Sequence, residues 1–254
     1  MTSRLESRRP LLPLALGLLL LGASACGPSP SRRSDDARKE AAGREWAWLQ
    51  QAKASLDAKR TRLEAGDSAD PKALAPLRTQ VNREGGELRR RLVAFLNARP
   101  PVEGEPLTPR QKEAIRMKSD EDILLGRAFI EQGGDFQRAI EIYETALGLD
   151  PGYERLRTEL QEARDRRYVS REAFDELKEG MTEDEVRQAI GQPNLHNVKE
   201  YPEHGVVGWF YPKDETGAAA GVWFEKDGGT LKVYKLDFEA IRPHAPAPDG
   251  PPVT

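Results

Sequence analysis

The spacing of apolar positions changes along the chain, and each change marks an element. From Ala37 onward, Ala42, Leu49, Leu56 and Leu63 recur every seven residues, with Trp46 and Ala52 in the same stripe. This is one apolar face of a helix. Gly66-Asp67-Ser68 interrupts it, and Asp70 and Pro71 suit the cap and first residue of a second helix. Leu74, Leu77, Val81, Leu88, Leu92 and Phe95 then fall at three- and four-residue steps and their multiples. Gly85-Gly86 lies inside that run and costs about 2 kcal/mol relative to alanine in a helix, so a kink or break is predicted there. Residues 37–99 read as an antiparallel helical hairpin, a stalk.

Prolines at 100, 101, 106 and 109 mark residues 100–109 as a linker. Thr108 with Gln111 forms a capping box, and Pro109 is a good first helical residue. The helix is predicted to pause near Ser119, to turn at Gly133-Gly134-Asp135, and to resume from Phe136 to Gly148. After Asp150-Pro151-Gly152, Leu156, Leu160 and Ala163 share one side of a third run, Tyr153 to Arg167. From Tyr168 the pattern changes again. Ser170 caps a short helix holding Phe174 and Leu177, and Thr182 with Glu185 caps another holding Val186 and Ile190, closed by Gly191 and Pro193. Period-two segments follow at 195–201, 206–211, 221–225 and 231–238, with Asp227-Gly228 as a hairpin signal. Gly217, Gly221, Gly228 and Gly229 are read as turn glycines. The proline-rich stretch 242–254 is read as a disordered tail.

Composition adds constraints. Hydrophobic residues make up 38% and charged residues 32%, which favours several small units over one large core. One cysteine excludes an intramolecular disulfide framework and a thiolate zinc cage, and three histidines leave little for a metal site or a triad. A net charge of -3 gives no reason to expect nucleic acid as the main partner. The charge is uneven: residues 31–99 carry 16 basic and 10 acidic groups, whereas 168–254 carry 9 and 16.

The first residues address localisation. Arg4, Arg8 and Arg9 precede an apolar run, Leu11 to Leu21, which is short for a membrane span and the right size for the core of a signal peptide. Gly22-Ala23-Ser24-Ala25-Cys26 follows, and it resembles the lipobox of bacterial lipoproteins. The resemblance implies removal of residues 1–25, lipidation of Cys26 with diacylglyceryl and a further acyl chain such as palmitate, and a membrane anchor. Gly27 rather than aspartate after the cysteine implies the outer membrane under the enteric sorting rule, with the protein facing the periplasm. The alternative is an ordinary signal peptide cut after Ala25. Residues 26–36, rich in proline, serine and charge, read as a flexible tether.

Two further resemblances organise the rest. In 110–168, Leu125, Gly126, Phe129, Ala139, Tyr143, Ala146 and Pro151 resemble one tetratricopeptide repeat. The small residues let two antiparallel helices approach, Phe129 and Tyr143 fill the gap between them, and the third run covers the open face. The alternative is a generic three-helix bundle. In 169–241, Phe174, Leu177, Gly180-Met181-Thr182, Val186 and Gly191-Gln192-Pro193, followed by Trp209, Tyr211, Val222, Phe224 and Asp227-Gly228, resemble the BamE/SmpA-OmlA family of outer-membrane lipoproteins. That implies two helices on one face of a small antiparallel sheet, in the order ααβββ with a further strand, a fold shared with β-lactamase-inhibitor-like domains. The chain is thus expected to be multidomain, α followed by α+β.

No nucleophile motif, phosphate loop or metal spacing stands out, so no catalytic residue, metal or cofactor is assigned and an enzyme is not expected. His196 and His204 lack a third ligand nearby in sequence. Binding signals are clearer. If Trp209, Tyr211, Val222 and Phe224 pack under the helices, alternation turns Phe210 and Trp223 outward as candidate protein-binding residues. Arg89-Arg90-Arg91 is the densest point of the basic stalk, read either as a solvated face or as a contact for anionic phospholipid or peptidoglycan. Two functions follow: a noncatalytic envelope adaptor for a protein partner, or an inhibitor-like or regulatory protein aimed at a secreted or periplasmic enzyme.

Overall fold

The computed structural model describes residues 30–66, 71–100, 102 and 105–243. The chain divides after Arg44. In the first unit, residues 30–44 begin helix α1, Pro30–Ala65, so the tether expected over 26–36 is helical from Pro30. Arg44 pairs there with Glu40 one turn earlier, at 3.4 Å. Cys26, the signal segment 1–25, the Asp70 cap and the tail from His244 lie outside the described residues.

From Glu45 onward, α1 is followed by α2 (Pro71–Ala98), α3 (Pro109–Gly133), α4 (Phe136–Leu149) and α5 (Glu154–Arg166). The predicted stripes become one core, in which Trp46, Leu49 and Leu56 of α1 meet Val81, Leu88 and Leu92 of α2. Trp46 and Phe95 bring their ring centres within 5.4 Å. That core also takes Ala114 and Ile115 of α3. The proline-rich segment 100–109 therefore does not separate two cores, because the first half of α3 belongs with the hairpin. The second half, through Ile123, joins Ala139, Tyr143, Leu156 and Leu160 in another core. Gly126 and Tyr143 pack as expected for close helix approach, since a Cβ on Gly126 would stand 2.4 Å from the tyrosine ring.

Two local expectations fail. α2 runs unbroken through Gly85-Gly86. A Cβ on Gly85 would stand 3.3 Å from the Arg60 guanidinium and 3.7 Å from Glu121, so this glycine leaves room for a buried ion cluster while packing maintains the helix. Nor does α3 pause at Ser119, whose side chain is buried in the middle of the helix.

The third core lies among the last helices and the sheet that follows them. Helices α6 (Arg171–Asp175) and α7 (Glu183–Ile190) start at the predicted caps, Ser170 and Thr182, and Thr182 and Glu185 complete their box. Strands β1 (Val198–Tyr201), β2 (Val206–Pro212), β3 (Ala219–Asp227) and β4 (Thr230–Ile241) form an antiparallel meander in chain order. The turn between β3 and β4 uses Gly228 and Gly229, both at positive φ. Phe174, Leu177 and Val186 bury against Trp209, Tyr211, Val222 and Phe224, the expected inner face of the sheet, and Val233 joins them.

Candidate docking surfaces

The outer sheet face is built by register. Gly208 lies opposite Trp223, and Phe210 lies opposite Gly221. Each large ring thus faces a residue without a side chain, and the two rings meet edge to face with centres 5.7 Å apart. The Trp223 ring lies over both glycines: a Cβ on Gly221 would stand 2.5 Å from it, and one on Gly208 would stand 3.3 Å away. The Lys235 ammonium sits 4.7 Å from the ring centre. Phe210 and Trp223 are consequently brought together on the predicted face, but half-buried rather than free. Gly221 is not a turn residue, as it lies within β3, whereas Gly217, Gly228 and Gly229 have positive φ. The alternation of β2 and β3 exposed the pair to sequence reasoning; the glycines that seat it needed the register.

A second surface lies where the sheet region meets the helical array. Gly134 caps α3 at φ 60, and a Cβ on it would stand 2.4 Å from Gln192 O and from Pro193 C. Backbone therefore packs on backbone, and Pro193 is fully buried. Beside this joint is a cleft of about 520 Å³. Its walls are the end of α3 and start of α4, the crossover 166–170, the end of α7 and the loop 212–217. The Tyr211 hydroxyl donates to Gly191 O at 3.1 Å, and burial raises the phenol above its ordinary value. On the other side of the joint, Leu125 and Phe129 line a shallow groove with Leu195 and His196. Phe129 therefore lies half-buried at that groove and outside the core it was expected to fill.

Part of the basic charge of the stalk is neutralised by carboxylates, the most buried of them supplied by α3. The Glu121 carboxylate is wholly buried; Arg60 donates to both its oxygens at 2.7 Å, and Arg89 and Lys53 stand 3.8 and 3.9 Å away. Burial lowers the Arg89 guanidinium below its ordinary value. Arg91 pairs with Glu45 and Glu87 and lies over the Trp48 ring. Of the predicted Arg89-Arg90-Arg91 patch, Arg90 alone remains on the exposed side.

His196 and His204 are both exposed, and among the described residues no three His, Cys, Asp or Glu side chains gather as metal ligands. No helix among the described residues is long and apolar enough to cross a membrane. Comparison with protein-family models, with curated proteins and with solved structures returns no match.

Proposed function

We propose that the chain is a noncatalytic lipoprotein, anchored through lipid on Cys26 in the outer membrane and facing the periplasm, that serves as a protein-binding adaptor in outer-membrane or cell-envelope assembly. The observation that carries the docking half is the Phe210–Trp223 pair, seated over Gly208 and Gly221 on the sheet face away from the helices. Aromatic rings already fixed in place lose little conformational freedom on binding, and such residues dominate protein interfaces. The lipobox-like run ending at Cys26 supports the anchoring half.

The two halves are tested separately. Cys26→Ser is expected to release the protein from the membrane fraction, and unchanged fractionation would remove the anchor. For docking, a photo-crosslinking side chain placed at Phe210 is expected to trap an envelope membrane protein in living cells, while the same group at Arg62 traps none. Trapping one soluble enzyme instead would favour the inhibitor-like reading. No adduct at Phe210 would leave the pair a purely structural role.

A further inference from the structure

We infer that the cleft between the helical array and the sheet region binds the C-terminal carboxylate of a peptide. The site shares no residue with the Phe210–Trp223 pair, so it stands or falls independently of that docking face.

Three consecutive donors line the cleft: Arg166, Arg167 and Tyr168. Some arginines elsewhere in the array have carboxylate partners, as Arg116 has Asp150 and Arg164 has Glu144. Among the described residues, Arg166 and Arg167 form no ion pair within 4.0 Å; Phe136 lies 5.9 Å from Arg166 and Tyr168 4.9 Å from Arg167, while Arg166 also borders a neighbouring pocket with Glu131, Glu159 and Glu162. The Tyr168 hydroxyl is buried and has no hydrogen-bond partner. A buried polar atom without a partner calls for an explanation, and an acceptor supplied by a ligand provides one. Two guanidinium groups and a phenol are all donors, so the missing group is an acceptor, and the planar fork of arginine matches a carboxylate.

Two of the acids on the same walls are already engaged. Asp165 accepts from Gln161 at 2.7 Å, and Asp214 accepts from the Thr216 backbone and hydroxyl at 2.8 and 2.5 Å. Glu215 stands exposed on the loop. Farther along the walls are the side-chain amides of Gln188, Gln192 and Asn197, none with a side-chain hydrogen bond among the described residues. An amide side chain offers one donor edge and one acceptor edge, the complement of a peptide group. Donors for a terminal carboxylate beside amides for the preceding backbone select a peptide end over a bare anion. The volume of about 520 Å³ lies within the range of small-ligand sites.

The test uses the full-length chain in detergent and three probes: a mixed-sequence pentapeptide pool with free C-termini, the same pool amidated, and inorganic phosphate. The free-acid pool is expected to bind about tenfold or more tightly than the amidated pool. Arg166→Gln with Arg167→Gln is expected to remove that preference. Tyr168→Phe is expected to weaken free-acid binding several-fold without lowering the melting temperature, because the lost hydroxyl had no partner in the fold; a merely structural hydroxyl would leave binding unchanged. Equal retention of both pools, retention of neither, or displacement by phosphate as effective as by the free-acid pool overturns the proposal. So does binding by a chain ending at Pro243 when the full chain does not bind, which would make this chain's own tail the occupant.

Discussion

Between Glu45 and Arg166, Ser119, Glu121, Asp122 and Glu159 are buried together with the apolar core; between Val169 and Ile241, among the described residues, no charged side chain is buried. The helical array brings its helices into register with ion pairs. Arg60 grips Glu121 across α1 and α3, and Arg127 grips Glu159 across α3 and α5. The sheet region uses rings and the absence of side chains instead: Trp209 packs tilted against Phe224 inside, ring centres 4.5 Å apart, and Trp223 lies over two glycines outside. Apolar helix faces tolerate sliding, so a buried charge with one satisfactory partner position restricts the register. Strands already have a register from their hydrogen-bond ladder, and the remaining requirement is close packing.

The comparison breaks most sharply at Glu121. Glu121→Ala leaves the half-buried Arg60 with Asp57 as its remaining carboxylate acceptor and strands the other half of its fork, and it is expected to cost about 3–5 kcal/mol, read from chemical denaturation. Phe174→Ala in the sheet region is expected to cost a similar amount, about 3–5 kcal/mol, through a cavity instead of a stranded charge. Adding salt should therefore alter the first deficit and leave the second unchanged.

Gly134→Ala tests the joint between the two regions. Its positive φ and the contact with residues 192–193 both oppose a Cβ, and the expected cost is about 2–3 kcal/mol in the melting curve of the whole chain. Trp223→Ala follows, at about 1–2 kcal/mol, because the ring shields two glycines on the sheet. A sheet region that loses nothing on this change would show that the ring is not seated on the sheet.

The smallest effect concerns Asp122. Burial, outweighing the hydrogen bond and charge of Lys118, raises its carboxyl above the ordinary value. A carboxyl raised by folding holds its proton more tightly in the folded chain than in the unfolded one. Its contribution to stability is present below the ordinary carboxylate range and is lost as pH rises through the raised folded value. Asp122→Asn, which cannot ionise, should therefore be slightly more stable than the parent at neutral pH. It should match the parent in acid, and melting temperatures across pH check both ends.

The features legible in the sequence were those decided within a few residues. The caps at Thr108, Ser170 and Thr182 form as spaced, because donor and acceptor lie three residues apart. Strand alternation placed Trp209 and Tyr211 inside and Phe210 outside for the same local reason. What escaped depended on distant partners. Arg60 meets Glu121 across 61 residues, and nothing near Gly85 signals that its missing side chain makes room for them. Gly134 reads as an ordinary helix stop until Pro193 arrives against it. Of the candidate site, the aromatic pair was visible and its glycine seat was not; the cleft at Tyr168 needed four separated segments brought together.

Because α3 contributes its first half to one core and its second half to another, the 100–109 segment is a covalent link across a boundary already spanned by packing. Cutting the chain there would change its connectivity more than its shape. The two pieces should travel together through gel filtration and part only in denaturant, since the joint that holds them is the face that α3 presents to the hairpin. A backbone break in that segment would make this protein a two-chain complex, with α3 as the shared spine.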